Sequence, residues 1–200
     1  MSSPLTFLFY GRSGAGKGTQ ARLLETYLKE HTGRDVLYVE TGNGLRDLAA
    51  KKDKYFTGVL TEQTLSEGGL FPEFLPIWVW ANALVKQYSG EEHLILDGLA
   101  RRKDEVPVLD SAMEFYHISN PYIFHINVSR ERAFEMLKGR GRPDDTDDSI
   151  NERLDWFEEN VHHAMDAFRD LPRYNFIDIN GEQTIEEVHN EIIASIKELE

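Results

Sequence analysis

The stretch that most constrains this chain is Gly11-Arg12-Ser13-Gly14-Ala15-Gly16-Lys17-Gly18-Thr19-Gln20. It follows the apolar run Leu5-Thr6-Phe7-Leu8-Phe9-Tyr10 and precedes a segment in which Ala21, Leu24 and Leu28 recur at helical spacing. Strand, glycine-rich loop and helix in that order make a cradle for phosphate. The glycines let the backbone curl so that successive N–H groups converge on one anion. The helix that starts near Lys17 adds the positive end of its dipole. Lys17 is placed to reach the β- and γ-phosphates of a nucleotide, with Ser13, Gly14, Ala15, Gly16, Gly18 and Thr19 around them. One detail departs from the general pattern. A Ser or Thr usually follows the lysine directly; here Gly18 intervenes and Thr19 comes next.

The rest of the chain alternates short apolar runs with helical patterns. Strands are expected at 5–10, 36–40, 93–97, 122–128 and 173–179. Helices are expected to end near Gly33, then at 45–52 after a break at Thr41-Gly42, at 55–67 before Gly68-Gly69, after Pro72, at 101–116 and at 130–138. In the helix after Pro72, the spacing places Leu75, Trp78, Val79, Asn82 and Val85 on one side, with Trp78 and Trp80 as packing residues. Thr146 reads as the N-cap of a long helix whose apolar stripe is Ile150, Leu154, Phe157, Val161, Ala164, Met165 and Phe168. Ile185, Val188, Ile192, Ile196 and Leu199 mark a closing helix. Continuous apolar strands separated by helices indicate an α/β fold with a parallel sheet covered on both faces. In such a sheet ligands bind beyond the carboxyl ends of the strands.

Two hundred residues suffice for one domain, 1–200, with small inserted lobes. A net charge of −13 argues against a nucleic-acid backbone or an anionic membrane as partner. The chain has no cysteine, which excludes disulfides and thiolate metal sites, and no apolar run approaches the ~20 residues needed to span a bilayer. The N-terminal residues lack the features of a signal peptide, so a cytoplasmic protein is expected.

Asp97 ends an apolar strand, where a carboxylate can hold Mg²⁺ directly or through water; a turn or capping role before Gly98 is the alternative. Five arginines stand beside glycines, acids or loop edges: Arg46, Arg101, Arg140, Arg142 and Arg153. Their planar forks suit a transferring phosphoryl group. The other reading of Arg140 and Arg142 is a solvated charge run balanced by Asp144, Asp145, Asp147 and Asp148. Arg153, beside the apolar stripe, could equally snorkel from the edge of the core. His162-His163 are adjacent on a helix, point about 100° apart and do not share a metal easily; they read as surface histidines.

Taken together and in order, these segments resemble the adenylate kinase family of nucleoside monophosphate kinases over nearly the whole chain. Residues 11–20 resemble its GxPGxGKGTQ loop, including the Gly-Thr after lysine. Thr41-Gly42-Asn43-Gly44-Leu45-Arg46 resembles STGDxLR, Gly68-Gly69-Leu70-Phe71-Pro72 resembles GxLVP, and Leu96-Asp97-Gly98-Leu99-Ala100-Arg101 resembles LDGFPR. Residues 139–146 are similar to the shortest lid, GRGRxDDT, and Arg153 lies at the spacing of the arginine that follows it.

The resemblance implies a three-layer P-loop kinase fold: a five-stranded parallel sheet, an acceptor-binding lobe at 41–72 and a lid at 139–148. It implies phosphoryl transfer from ATP to AMP by a cytoplasmic monomer, with Mg²⁺ and without the zinc of longer lids. Arg140 would serve the donor ATP. Thr41, Gly42, Arg46, Gly69, Phe71, Gly98, Arg101, Glu105, Arg142 and Arg153 would serve the acceptor. Lys17, Arg101, Arg140, Arg142 and Arg153 would surround the transferred group, and Asp97 would anchor the Mg²⁺ water shell.

Several positions depart from the family. Arg12-Ser13 replaces residues that include the loop's proline, Leu99-Ala100 replaces Phe-Pro, Asn43 replaces an aspartate, and Met136 stands where many members carry an arginine. Glu105 stands where a glutamine reads the acceptor adenine. A carboxylate only accepts, which suits the two donors on the guanine edge, unless a shifted loop turns Glu105 to solvent. Two alternatives therefore stay open: another acceptor such as GMP, and a nucleotide-binding module with weak or no transfer activity.

Overall fold

The computed structural model describes residues 3–141 and 145–197. Five parallel strands form the central sheet: β1 (Thr6–Tyr10), β2 (Val36–Glu40), β3 (His93–Asp97), β4 (Tyr122–Asn127) and β5 (Asn175–Asn180). Their order is β2-β3-β1-β4-β5, with β1 in the middle. The chain leaves β1 toward one edge and later returns on the other side of it. The crevice at this switch point opens at the carboxyl end of β1, where the glycine loop begins.

Helices cover both faces, as the apolar strands require. Alternate residues of β1 divide between the two layers. Phe7 and Phe9 pack with Leu24, Phe124 and Ile192 on one face. Leu8 and Tyr10 pack with Trp80, Leu96, Met113 and Phe168 on the other. Phe124 is fully buried, with its ring centroid 6.0 Å from that of Phe7 and 5.5 Å from that of Phe9. Phe124→Ala is expected to cost about 3–5 kcal/mol of stability, measured by denaturant unfolding.

The helices are α1 (Lys17–Thr32), α2 (Thr41–Ala49), α3 (Phe56–Ser66), α4 (Phe74–Gln87), α5 (Val106–Phe115), α6 (Arg130–Arg140), α7 (Asp147–Trp156), α8 (His162–Arg169) and α9 (Ile185–Ala194). Gly33 caps α1 in the left-handed conformation. A short 3₁₀ turn, Lys103–Glu105, leads into α5, whose first turn holds Pro107. Thr146 caps α7 through a reciprocal box with Ser149. A π turn, Phe157–Val161, joins α7 to α8, and the expected apolar stripe from Ile150 to Phe168 is buried along its whole length. Among the described residues, no helix is long and apolar enough to cross a membrane.

Three local expectations are corrected. Thr41-Gly42 does not break the chain after β2; α2 starts at Thr41 itself. α6 does not stop at Lys138 but continues through Gly139 to Arg140 before Gly141 turns left-handed. In α4 the buried residues are Leu75, Val79, Trp80 and Leu84, whereas Trp78 is 49% exposed and Val85 77%. That helix is apolar on nearly every side, so spacing alone does not identify the face that packs.

Candidate active site

The loops at the carboxyl ends of β1, β2 and β3 line one cleft of about 1040 Å³, together with the turn before α4 and parts of α6 and α7. Ser13, Gly14, Gly16, Lys17, Gly18 and Thr19 form its floor. Ala15 is buried beneath them. Gly14 takes φ +86°, and a β-carbon there would stand 2.5 Å from the Ala133 carbonyl oxygen, so the loop is seated directly on α6. The Lys17 ammonium donates to the carbonyls of Gly11 (2.9 Å) and Arg12 (2.8 Å). Burial pulls its pKa down from 10.5 to about 8. Arg101 and Arg140 push the same way, and Asp97 and Glu40 oppose them.

Arg12 is anchored rather than solvated. It donates to the Val128 carbonyl (2.8 Å) and to Glu158 (3.0 and 2.5 Å), and its guanidinium lies 5.0 Å from the Phe157 ring centroid. The loop is thereby tied to the π turn after α7.

Asp97 ends β3 as the strand pattern implied, buried and facing the cleft. Its Oδ2 accepts from the Tyr38 hydroxyl at 3.0 Å. Tyr38 is itself covered by Arg22, 3.8 Å from its ring centroid. Gly98 follows with φ +74°. Ala100 has φ +45° and is fully buried, and the Tyr10 hydroxyl donates to the carbonyls of Leu99 (2.8 Å) and Ala100 (3.1 Å). Proline holds φ near −65°, so this turn is one that the family's proline does not make. Ala100→Pro is expected to destabilise the protein by more than about 1 kcal/mol, read from thermal unfolding, although it restores the family residue.

The turn delivers Arg101 into the cleft. Burial disfavours its charge, with Asp97 and Glu105 the main opposing influences. Among the described residues, no oxygen accepts a hydrogen bond from its guanidinium, which lies 4.6 Å from the Trp156 ring centroid. Arg102 is instead bonded to protein oxygens: it donates to the Phe71 carbonyl (2.9 Å) and to Glu105 (3.3 Å), and stands 3.9 Å from Glu73.

Glu105 does not face solvent. It is 3% exposed on the cleft wall and accepts from the Arg101 amide at 3.2 Å as well as from Arg102. Burial raises its pKa, with Arg102 and Arg101 opposing. The carboxylate that could have met a guanine edge is therefore already engaged by protein donors.

At the carboxyl end of β2, which pairs Glu40 with Asp97, Thr41 is buried with its hydroxyl unpartnered, and Gly42 and Arg46 follow on α2. Arg46 donates to Glu40 at 3.0 Å and to Asn43, which in turn donates to Glu40. Gly69, Leu70 and Phe71 close this end.

Arg140, at the end of α6, and Arg153, on α7, converge on one carboxylate. Arg140 grips Asp145 with two bonds (2.9 and 2.8 Å), and Arg153 reaches it at 3.0 Å and donates to the Ser149 carbonyl at 2.9 Å. The Asp145 side chain is 1% exposed. Burial works to raise its pKa, but the hydrogen bonds and charges of Arg140 and Arg153 outweigh it and leave the carboxyl below its ordinary value. Arg140 is thus part of a built ion cluster rather than a solvated run, and Arg153 does more than snorkel. Arg142 lies outside the described residues. Met136 lines the cleft and is 49% exposed. His162 and His163 lie outside the cleft lining, His162 3.6 Å from Glu158.

The sequence reading did not single out Tyr10, Tyr38, Glu40, Arg102 or Trp156. Tyr10, Tyr38, Arg102 and Trp156 act across elements distant in the chain, whereas Glu40 holds the nearby Asn43 and Arg46. The available signals were that Tyr38 and Glu40 sit at the end of a strand beside the glycine loop and that Arg102 adjoins Arg101. Trp156 lies one helical turn after Arg153.

Comparison with known proteins gives a consistent result. A family model described as adenylate kinase matches residues 9–172. Adenylate kinase 1 of Nostoc sp. is 28% identical over 189 residues, covering 94% of this chain and 97% of that protein. The adenylate kinase of Thermosynechococcus vestitus is 28% identical over 203 residues, covering 98% of each. The adenylate kinase of a Mycobacterium species is 30% identical over 169 residues, covering 82% of this chain and 86% of the relative.

Proposed function

Because this chain belongs to the adenylate kinase family, we propose that it catalyses reversible phosphoryl transfer from ATP to AMP, giving two ADP. The observation that carries the reading is one cleft that holds the glycine loop with Lys17 at its floor and Arg46, Arg101, Arg140 and Arg153 around it. A protein that only binds nucleotide has no need of so many cations around one phosphate position. A transfer enzyme must hold two phosphate chains and the charge that spreads between them.

The donor ATP is assigned to Ser13, Gly14, Ala15, Gly16, Lys17, Gly18 and Thr19, with Arg140 from the lid. The loop amides and the third N–H of Lys17 bind its phosphates. The acceptor is assigned to the lobe at 41–72, through Thr41, Gly42, Arg46, Gly69 and Phe71, and to Gly98, Arg101 and Glu105. The orphaned Thr41 hydroxyl supports a ligand on that wall. Arg101 orients the acceptor phosphate in line with the donor, and Arg140 and Arg153 close over the transferred group as the lid at 139–148 folds down. Closure excludes water and so limits hydrolysis. Catalysis is then positioning and electrostatics, without a covalent intermediate.

Asp97 suits a Mg²⁺ held mainly by nucleotide phosphates and water. Its carboxylate faces the loop, with Oδ2 3.6 Å from where a β-carbon of Gly18 would stand, and Tyr38 fixes its orientation. The ion supplies charge neutralisation to the phosphates when bound. The net charge of −13 supports small nucleotides rather than nucleic acid as partners.

Formation of ADP from ATP and AMP by the purified chain, followed in a coupled assay, tests the reading; nucleotide binding without product would contradict it. The same assay carries a pH prediction. Lys17 loses its proton near pH 8 in the free protein. The kcat/KM for ATP is therefore expected to fall as pH rises through about 8, and to fall less for kcat because bound phosphate holds the proton on.

A further inference from the structure

The arginines of the cleft are held in place in two different ways. Arg46 rests on Glu40, and Arg140 and Arg153 share Asp145. Arg102 is bonded to Glu105 and the Phe71 carbonyl. Each of these gives some of its N–H donors to protein oxygens. Arg101 differs. Among the described residues, its guanidinium gives none, and the contact that fixes it is the indole of Trp156, 4.6 Å from ring centroid to guanidinium carbon. The same ring takes Arg102 at 5.3 Å.

We propose that Trp156 is a positioning residue of the acceptor site, holding the Arg101 guanidinium by its ring face so that all five N–H donors stay available to the acceptor phosphate. A carboxylate partner would orient the arginine equally well but would compete with phosphate for the same in-plane donors and cancel part of the charge. An aromatic face attracts the cation from above its plane and leaves the edge free. Trp156 also ends α7, one turn beyond Arg153. The helix that supplies an arginine to the transferred phosphate thereby sets the position of the arginine on the acceptor phosphate.

This inference rests on the assignment of AMP to this wall. The experiment compares the wild-type chain with Trp156→Phe, which keeps an aromatic face, and Trp156→Leu, which keeps apolar bulk without one. Binding of AMP and of adenosine is measured for each by calorimetry, with circular-dichroism melts as the control for folding. The expected result is an AMP affinity about 5- to 20-fold weaker in Trp156→Leu, largely recovered in Trp156→Phe, with adenosine binding equal in all three. Kinetically, the loss falls on KM for AMP rather than on KM for ATP. Emission of the indole, taken as the difference between wild type and Trp156→Phe, is expected to change when AMP binds and not when adenosine does.

Equal AMP affinity in wild type and Trp156→Leu would overturn the role of Trp156. So would equal loss of AMP and adenosine binding, or the same loss in Phe and Leu variants, since each marks packing alone. Failure of the wild-type chain to bind AMP would instead overturn the acceptor assignment itself.

Discussion

Arg101→Ala is expected to lower turnover by about 10³-fold or more, with the melting transition essentially unchanged. The two halves of that expectation come from the same geometry. Among the described residues, the guanidinium donates to no protein oxygen, so its removal orphans no buried acceptor and costs little stability. Its charge sits at the end of the turn that Tyr10 and Ala100 shape, between Asp97 and Glu105, where a phosphate would complete it. Loss of the cation removes charge stabilisation that strengthens as the phosphoryl group transfers, and the deficit falls on kcat as well as on KM for AMP. Arg101→Lys recovers only part of it, because an ammonium cannot present two parallel N–H bonds to one phosphate. Near-normal turnover in purified, folded Arg101→Ala would sink the assignment.

Lys17→Met is the second large effect. Its turnover is expected to drop by about 10²–10³-fold, seen by steady-state kinetics at saturating ATP. Its stability shows the opposite pattern. In the folded protein burial lowers the lysine pKa to about 8, below the 10.5 of the exposed group. The unfolded chain thus binds the extra proton more readily, and the charged lysine opposes folding below pH 8. That penalty fades as pH rises from about 8 toward 10.5. The stability of Lys17→Met relative to wild type is therefore highest at neutral pH and declines across this window. A gap that widens with pH in denaturant titrations would contradict the burial of the ammonium.

The extent to which these features were legible in the sequence follows their range. The glycine loop, the apolar strand ending in Asp97 and the Thr146 cap are local patterns, and each lies where the spacing placed it. A parallel sheet follows from alternation and helix coverage, but the order of its strands around β1 is set by pairing and appears only in the fold. Features that depend on pairing between distant segments were not legible. The sequence sets Asp145 beside Arg140 as a charge partner, but nothing in it says that Arg153 meets the same carboxylate or that the pair is buried. Nothing near Tyr38 or Trp156 announces Asp97 or Arg101.

Two departures from the family pattern change meaning once the backbone is seen. Ala100 in place of proline is an altered turn, with φ +45°, held by the Tyr10 hydroxyl. Glu105 in place of glutamine is not an empty acceptor aimed at a base; Arg102 and the Arg101 amide already bind it. Arg102 also brings to that wall the donor capacity that a carboxylate lacks. α4 shows the limit from the other side. Its sequence is apolar almost all round, and only the position of the sheet decides that Trp80 packs and Trp78 does not.

The acceptor specificity of this cleft is tested most directly by a panel: ATP with Mg²⁺ against AMP, GMP, CMP and UMP in turn, with product diphosphates quantified. AMP is expected to give by far the highest kcat/KM, with two ADP formed per turnover. A preference for GMP, or no diphosphate product from any acceptor, would contradict it.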